Sequence, residues 1–160
     1  MIEITKSVNA DSRTSNDDVT VENLRYDTES HISDVTKGLD FVAELIKARG
    51  PMHDHTKLEN LEEFYQVIKS NHIKDTNWYH KHVTEEKHHL KTYVHEDITL
   101  VDVIEHVVDC TMAGLARSGS VYDIDLPTEV LQLAVKNTVD MLIRNTNVSD
   151  PQKDILDEEI

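Results

Sequence analysis

Residues 100–117 read LVDVIEHVVDCTMAGLAR, with Thr99 in front and Gly119 two residues behind. Leu100, Val103, Ile104, Val107, Thr111 and Leu115 recur at three- and four-residue steps, which is the period of an α-helix with one apolar stripe. Thr99 and Asp102 mark its start and Gly119 its end. Asp102, Glu105, His106 and Asp109 follow the same spacing, so they share a face and interleave with the apolar residues. Two like charges such as Glu105 and Asp109 cost roughly 0.2–0.5 kcal/mol on an exposed helix face and become favourable around a cation. Two readings stay open here: a solvated acidic face, or carboxylates gathered for a metal ion.

Working outward, helical patterning dominates. Upstream, Ile32, Val35, Leu39, Val42 and Ile46 form a stripe on a helix expected to begin near His31 and to end at Gly50-Pro51. Thr56 and Glu59 fit a capping box before a helix carrying Leu61, Phe64, Tyr65 and Ile68. From Asp75 to Leu90 the pattern predicts one or two short helices with a break near Thr84. Downstream, Pro127 opens a helix with Val130, Leu131, Ala134, Val135, Thr138, Leu142 and Ile143 on its buried side. After Asn145 a last short helix is expected, with Ser149 as a cap toward Gln152. Internal repeats and long heptad runs are absent from the sequence, and strand-like alternation is scarce, so the layer architecture is helix on helix and the fold class all-α. The expected organisation is a polar N-terminal arm over 1–28, a helical domain over 29–147 and an acidic tail over 148–160.

Composition narrows the function classes. The chain has 160 residues, 38% apolar but only 5% aromatic, so its core must come from aliphatic side chains. Its net charge of -15 would repel a phosphate backbone or an anionic bilayer, so neither nucleic acid nor membrane is expected as a partner. A bound divalent cation could still locally outweigh distant carboxylates and admit a small phosphorylated molecule. Cys110 is the single cysteine, which rules out an internal disulfide and favours a reducing compartment. With neither an export signal nor a long apolar run in the sequence, the cytoplasm is the default location. A homodimer is the base-rate expectation.

The ten histidines, most of them between His53 and His95, are the unusual feature. His53-Asp54 follows the Gly50-Pro51 break, where a turn would let both reach one ion; a plain surface turn is the other reading. His31 lies in line with Val35 and Leu39, either as a cap-region residue or as a ligand at the end of the stripe. Trp78 and Tyr79 fit a small satellite core better than a ligand wall, and Cys110 a core position better than a nucleophile.

In order, the segments His31-Ile32 with Val35, His53-Asp54-His55-Thr56-Lys57, the paired His88-His89, and Asp102, Ile104, Glu105 and Asp109 resemble the HD-domain superfamily of metal-dependent phosphohydrolases. They are more closely similar to an HD-like family described as domain of unknown function 5662, found in phages and bacteria. The likeness covers about residues 28–118. Ser118-Gly119-Ser120 lacks the aromatic residues of that family's pattern, and Thr84–Lys87 lacks its Asn-Pro. Both departures bear on the substrate pocket more than on the metal site.

The resemblance implies a multi-helix HD-domain-like bundle in which His31, His53, Asp54 and Asp109 hold one divalent transition metal (Mn, Fe, Co, Ni or Zn). His80, His82, His88 and His89 would supply a second ion or orient a phosphate. Asp54, Lys57 and Glu105 would be the catalytic group. Lys57 would meet a substrate phosphate, or pair with Asp54 or Glu105. Glu105 would fix the tautomer of a ligand histidine. The implied activity is hydrolysis of a small phosphorylated molecule, with a nucleotide as the favoured candidate. The alternative is a non-catalytic, metal-containing phage or bacterial protein that binds a protein partner.

Overall fold

A computed structural model describes residues 1–7 and 19–150. The chain is mostly helical, with one minor two-stranded sheet, as the all-α reading required. Residues 8–18 of the expected arm, and the acidic tail beyond 150 with its Ser149-to-Gln152 cap, lie outside the described residues. Among the described residues, no helix is long and apolar enough to cross a membrane. The chain divides into two compact units, one of Met1–Glu44 with Met141–Ile160, the other of Leu45–Asp140.

In the first unit, strand β1 (Ile2–Thr5) pairs in parallel with strand β2 (Thr146–Ser149), Ile2 opposite Thr146. The sequence reading expected a helix after Asn145. The β-branched residues Thr146 and Val148 take a strand instead, because β1 supplies hydrogen-bond partners that no local pattern reveals. Helix α1 (Val21–Met52) also starts earlier than expected, well ahead of His31. The Thr20 hydroxyl accepts the Asn23 N–H at 3.1 Å. From Val21 to Ser30 there is no glycine or proline to stop a helix already nucleated downstream. The stripe read as buried stays largely open: Val35 and Leu39 are 47% and 65% exposed. Amphipathic periodicity marks a face that can be buried, and says nothing of whether an element is there to bury it.

The second unit begins with the last turns of α1. The helix does not stop at Gly50-Pro51 but continues to Met52, because a proline in the final turn forfeits only one hydrogen bond. The chain leaves the helix at Asp54, whose φ of 57° is left-handed. Then follow α2 (His55–Glu59), α3 (Leu61–Ser70), a 3-10 turn over Ile73–Asp75, and α4 (Asn77–Glu85), which ends at the expected break. Helices α5 (Leu100–Ser118) and α6 (Thr128–Arg144) follow, the last residues of α6 belonging to the first unit.

The core of this unit joins Leu90 and Ile98 to Val130 and Ala134 of α6, with Leu100, Val103, Leu126 and Leu133 packed around them. Asn137 donates to the carbonyls of Glu96 and Ile98, and Thr138 accepts the Leu100 N–H, stitching the start of α5 onto α6. The stripe expected for α5 is rotated. Ile104, Val107 and Leu115 are exposed, whereas Val101, Asp102, His106 and Gly114 are buried. Polar groups win the inward face because each finds a partner there, described below. Gly114 is needed for a different reason: a Cβ there would meet Ser120 O at 2.4 Å and Tyr122 N at 2.7 Å.

Candidate metal centre

The centre is assembled within the second unit from the Asp54 turn, the start of α2, the end of α4 with the segment behind it, and the inward face of α5. The left-handed backbone at Asp54 costs roughly 1–2 kcal/mol for a residue with a Cβ. It separates His53 from α2, yet leaves His53 Nε2 3.6 Å from Asp54 Oδ2 and 3.5 Å from Asp109 Oδ1. His53 Nδ1 donates to Glu105 Oε1 at 3.0 Å. Burial pulls the His53 pKa down, but this hydrogen bond and the charges of Asp54, Asp109 and Glu105 outweigh it and raise it.

The two oxygens of Asp54 face opposite neighbourhoods. Oδ2 looks toward His53 and is paired with the Lys57 ammonium. Oδ1 looks toward two imidazoles, with His82 Nε2 at 3.4 Å and His88 Nε2 at 3.6 Å, and Asp54 belongs to one group with His88 and His89. Burial pushes the Asp54 carboxyl up, but Lys57 and the flanking His53 and His88 hold it below the ordinary aspartate value.

Each imidazole is oriented from behind. The Thr56 hydroxyl donates to Glu86 Oε1 at 2.9 Å, so it must accept from His82 Nδ1–H at 2.6 Å, because a hydroxyl carries one proton. The Thr56 N–H donates to the same carboxylate at 3.1 Å. His82 Nε2 is thereby left as a lone pair facing Asp54 Oδ1. Thr56, His82 and Glu86 are all buried. Trp78 stacks between Phe64 and His82, with ring centroids 4.7 and 5.0 Å apart, and is the satellite core expected of it. His89 Nε2 lies 2.8 Å from His82 Nε2, so it either donates a proton across that gap or turns a second lone pair to a cation. Burial, with the charges of His88 and His82, pushes the His89 pKa down to about 3, so its ring is neutral near pH 7.

His88 occupies the middle and is only 1% exposed. Its carbonyl accepts His106 Nδ1–H at 2.9 Å, which fixes the backbone behind it. Its Nδ1 is 3.2 Å from Glu105 Oε1, off the hydrogen-bonding line. Burial pulls the Glu105 carboxyl up, while the facing His88 and His53 rings and the Arg49 charge bring it below its ordinary value. Arg49 itself grips Asp102 Oδ1 at 2.6 Å, and Asp102 Oδ2 accepts the Thr99 N–H at 2.7 Å.

Asp54 Oδ1 and both ring nitrogens of His88 are buried and find no hydrogen-bond partner among the described residues. Leaving such a group unpartnered costs about 1–3 kcal/mol. A cation beside Asp54 Oδ1 and His88 Nε2, which lie 3.6 Å apart, would satisfy both of those atoms, while His88 Nδ1 faces Glu105; the mixed nitrogen and oxygen donors suit a transition metal. Two groups of side chains could each hold an ion: His53, His88 and Glu105, and Asp54, His88 and His89. His88 is common to both.

Of the residues expected at the site, the structure brings together His53, Asp54, Lys57, His82, His88, His89, Glu105 and Asp109. His80 is exposed on α4 against Tyr79. His31 is exposed in the first unit, beside Asp27, Ser30 and Asp34. Neither belongs to the two groups. Lys57 pairs with Asp54, one of the options left open for it. Thr56 does not cap a helix with Glu59: it is already inside α2, and its hydroxyl is taken by Glu86 and His82. Glu86 went unread because, within Glu85-Glu86-Lys87, nothing local separates it from a solvated charge run. The partnership of Arg49 with Asp102 likewise left no sequence signal.

Comparison with models of known protein families, with curated proteins and with solved structures finds no match. The class is therefore defined by fold and geometry alone: a helical protein with two histidine–carboxylate groups able to hold metal.

Proposed function

We propose that this protein is a metal-dependent phosphohydrolase of the HD type, acting on a small phosphorylated molecule. The observation that carries the reading is Asp54: adjacent to His53, held in a left-handed turn, with one oxygen turned to His53 and Lys57, the other to His82 and His88, and grouped with His88 and His89. A divalent cation bound there supplies Lewis-acid polarisation of a phosphoryl oxygen and lowers the pKa of water enough to make a nucleophile at neutral pH. Asp54, His88 and His89 are the side chains that would hold it, with His82 beside them and with His53 and Glu105 forming the neighbouring group that shares His88. Glu105 sets the proton on His53 Nδ1, so that Nε2 presents its lone pair. Lys57 offsets the Asp54 charge by its ion pair with Oδ2.

The test is Asp54→Ala, made in protein purified without nickel. The wild type should carry about one divalent ion or more per chain and hydrolyse at least one phosphomonoester in a manganese-supplemented panel. The variant should lose turnover by about 10³-fold or more, in line with removal of a group central to the chemistry. A silent panel at full metal occupancy would instead favour a metal-containing protein that binds a partner. Wild-type protein free of metal would end both readings.

A further inference from the structure

The second unit contains an apolar cavity of about 270 Å³ between the end of α1 and the outer flank of α5. Ile46, Ile104, Val108 and Met112 form its walls. Its polar edge is made by His53, Glu105 and Asp109, side chains that also belong to or border the metal centre, so cavity and centre are continuous. Arg49 lines it too, but its guanidinium is committed to Asp102 at 2.6 Å and lies 3.8 Å from Glu105. The edge therefore offers two carboxylates and no uncommitted cation. A second anionic group would be repelled there, and a polar ring would leave its hydrogen-bonding edges unmatched against aliphatic walls. An apolar cavity of about 150 Å³ already accommodates benzene, so this one is large enough for a substituted six-membered ring.

We propose that this cavity seats the non-reacting part of the substrate, and that this part is an uncharged apolar group. The inference rests on the phosphohydrolase reading for the fate of the phosphate and narrows the substrate class to phosphate monoesters of an apolar alcohol or phenol. In the reaction the oxygen of water bonds to phosphorus and the ester P–O bond breaks. One water proton passes to the leaving oxygen, and the other stays with the released phosphate. Nucleotides and sugar phosphates, whose non-reacting parts are polar, would be the poorer substrates.

The experiment is calorimetric titration of the manganese-loaded chain with phenylphosphonate and with methylphosphonate, neither of which is hydrolysed. Phenylphosphonate should bind at least about tenfold more tightly, the effect of burying a ring in an apolar site. Val108→Trp, which fills the cavity from a half-exposed position, should bring phenylphosphonate down to the affinity of methylphosphonate while manganese still binds. Met112→Trp serves the same purpose if the first variant fails to fold. Equal affinities in the wild type, no binding of either phosphonate, or a preference that survives the filled cavity would each overturn the inference. Turnover of phenyl phosphate is read separately: a clear phenyl preference without hydrolysis would uphold the cavity and sink the phosphohydrolase reading instead.

Discussion

His82 shows how much chemistry depends on a proton that no ligand count reveals. Its Nε2 can face a cation only while Nδ1 holds the hydrogen, and that is arranged by Thr56 and Glu86, neither of which belongs to the candidate ion groups. Glu86→Ala, which frees the Thr56 hydroxyl to donate to His82 Nδ1 and so puts the proton on Nε2 beside Asp54, should therefore weaken divalent-metal affinity by about 10-fold, the low end of the cost of losing a partner behind a metal site. Competition against a chelating dye reads this directly, and an unchanged affinity would remove Glu86 from the site. Cys110 illustrates the opposite case: it is only partly buried, and burial and the Asp109 charge push its thiol above the ordinary value, which disfavours the thiolate. At this scale the sequence was informative where neighbours along the chain share a task, as in His53-Asp54. It was uninformative where the partner is tens of residues away, as for Thr56 and Glu86.

Helix α5 carries the main lesson about elements. Its period was legible, its ends fell near the expected residues, and its face was misjudged. Asp102 is 1% exposed, which would be untenable without Arg49 and the Thr99 N–H. Arg49→Met should lower unfolding stability by about 1–3 kcal/mol, because it leaves Asp102 Oδ1 without its partner while Thr99 still holds Oδ2. Urea denaturation would check this, and a loss below about 1 kcal/mol would mean that Asp102 finds another partner. Gly114 is the element's second constraint. Alanine there would gain up to about 1 kcal/mol of helix propensity, but it must displace backbone at Ser120 and Tyr122, an overpacking cost of about 1–3 kcal/mol. Gly114→Ala should melt below the wild type, and a higher melting temperature would show that the 120–122 loop moves freely.

For the whole molecule, both candidate ion groups fall in the unit of residues 45–140, and neither draws on the parallel pair β1–β2. Metal should therefore stabilise the chain unevenly. At a free concentration a hundred times the dissociation constant, binding adds about 2.7 kcal/mol. Hydrogen exchange with and without a chelator should show that protection over residues 53–109 depends on metal, while that of β1 and β2 changes little. A uniform response, or none, would contradict this assignment.

Taken by itself, the sequence determined that the chain is helical, where most helices lie, and that histidines and carboxylates are concentrated in segments able to meet at a metal. Those properties follow from local period and local composition. Only the tertiary structure decided that α5 turns its polar side inward, that Asp54 divides its two oxygens between His53 with Lys57 on one side and His82 with His88 on the other, that Glu86 and Thr56 orient His82, and that Thr146–Ser149 is a strand. Each of these depends on a donor or acceptor supplied by a distant part of the chain, and hydrogen-bond partnership across such separations leaves no periodic mark on the sequence.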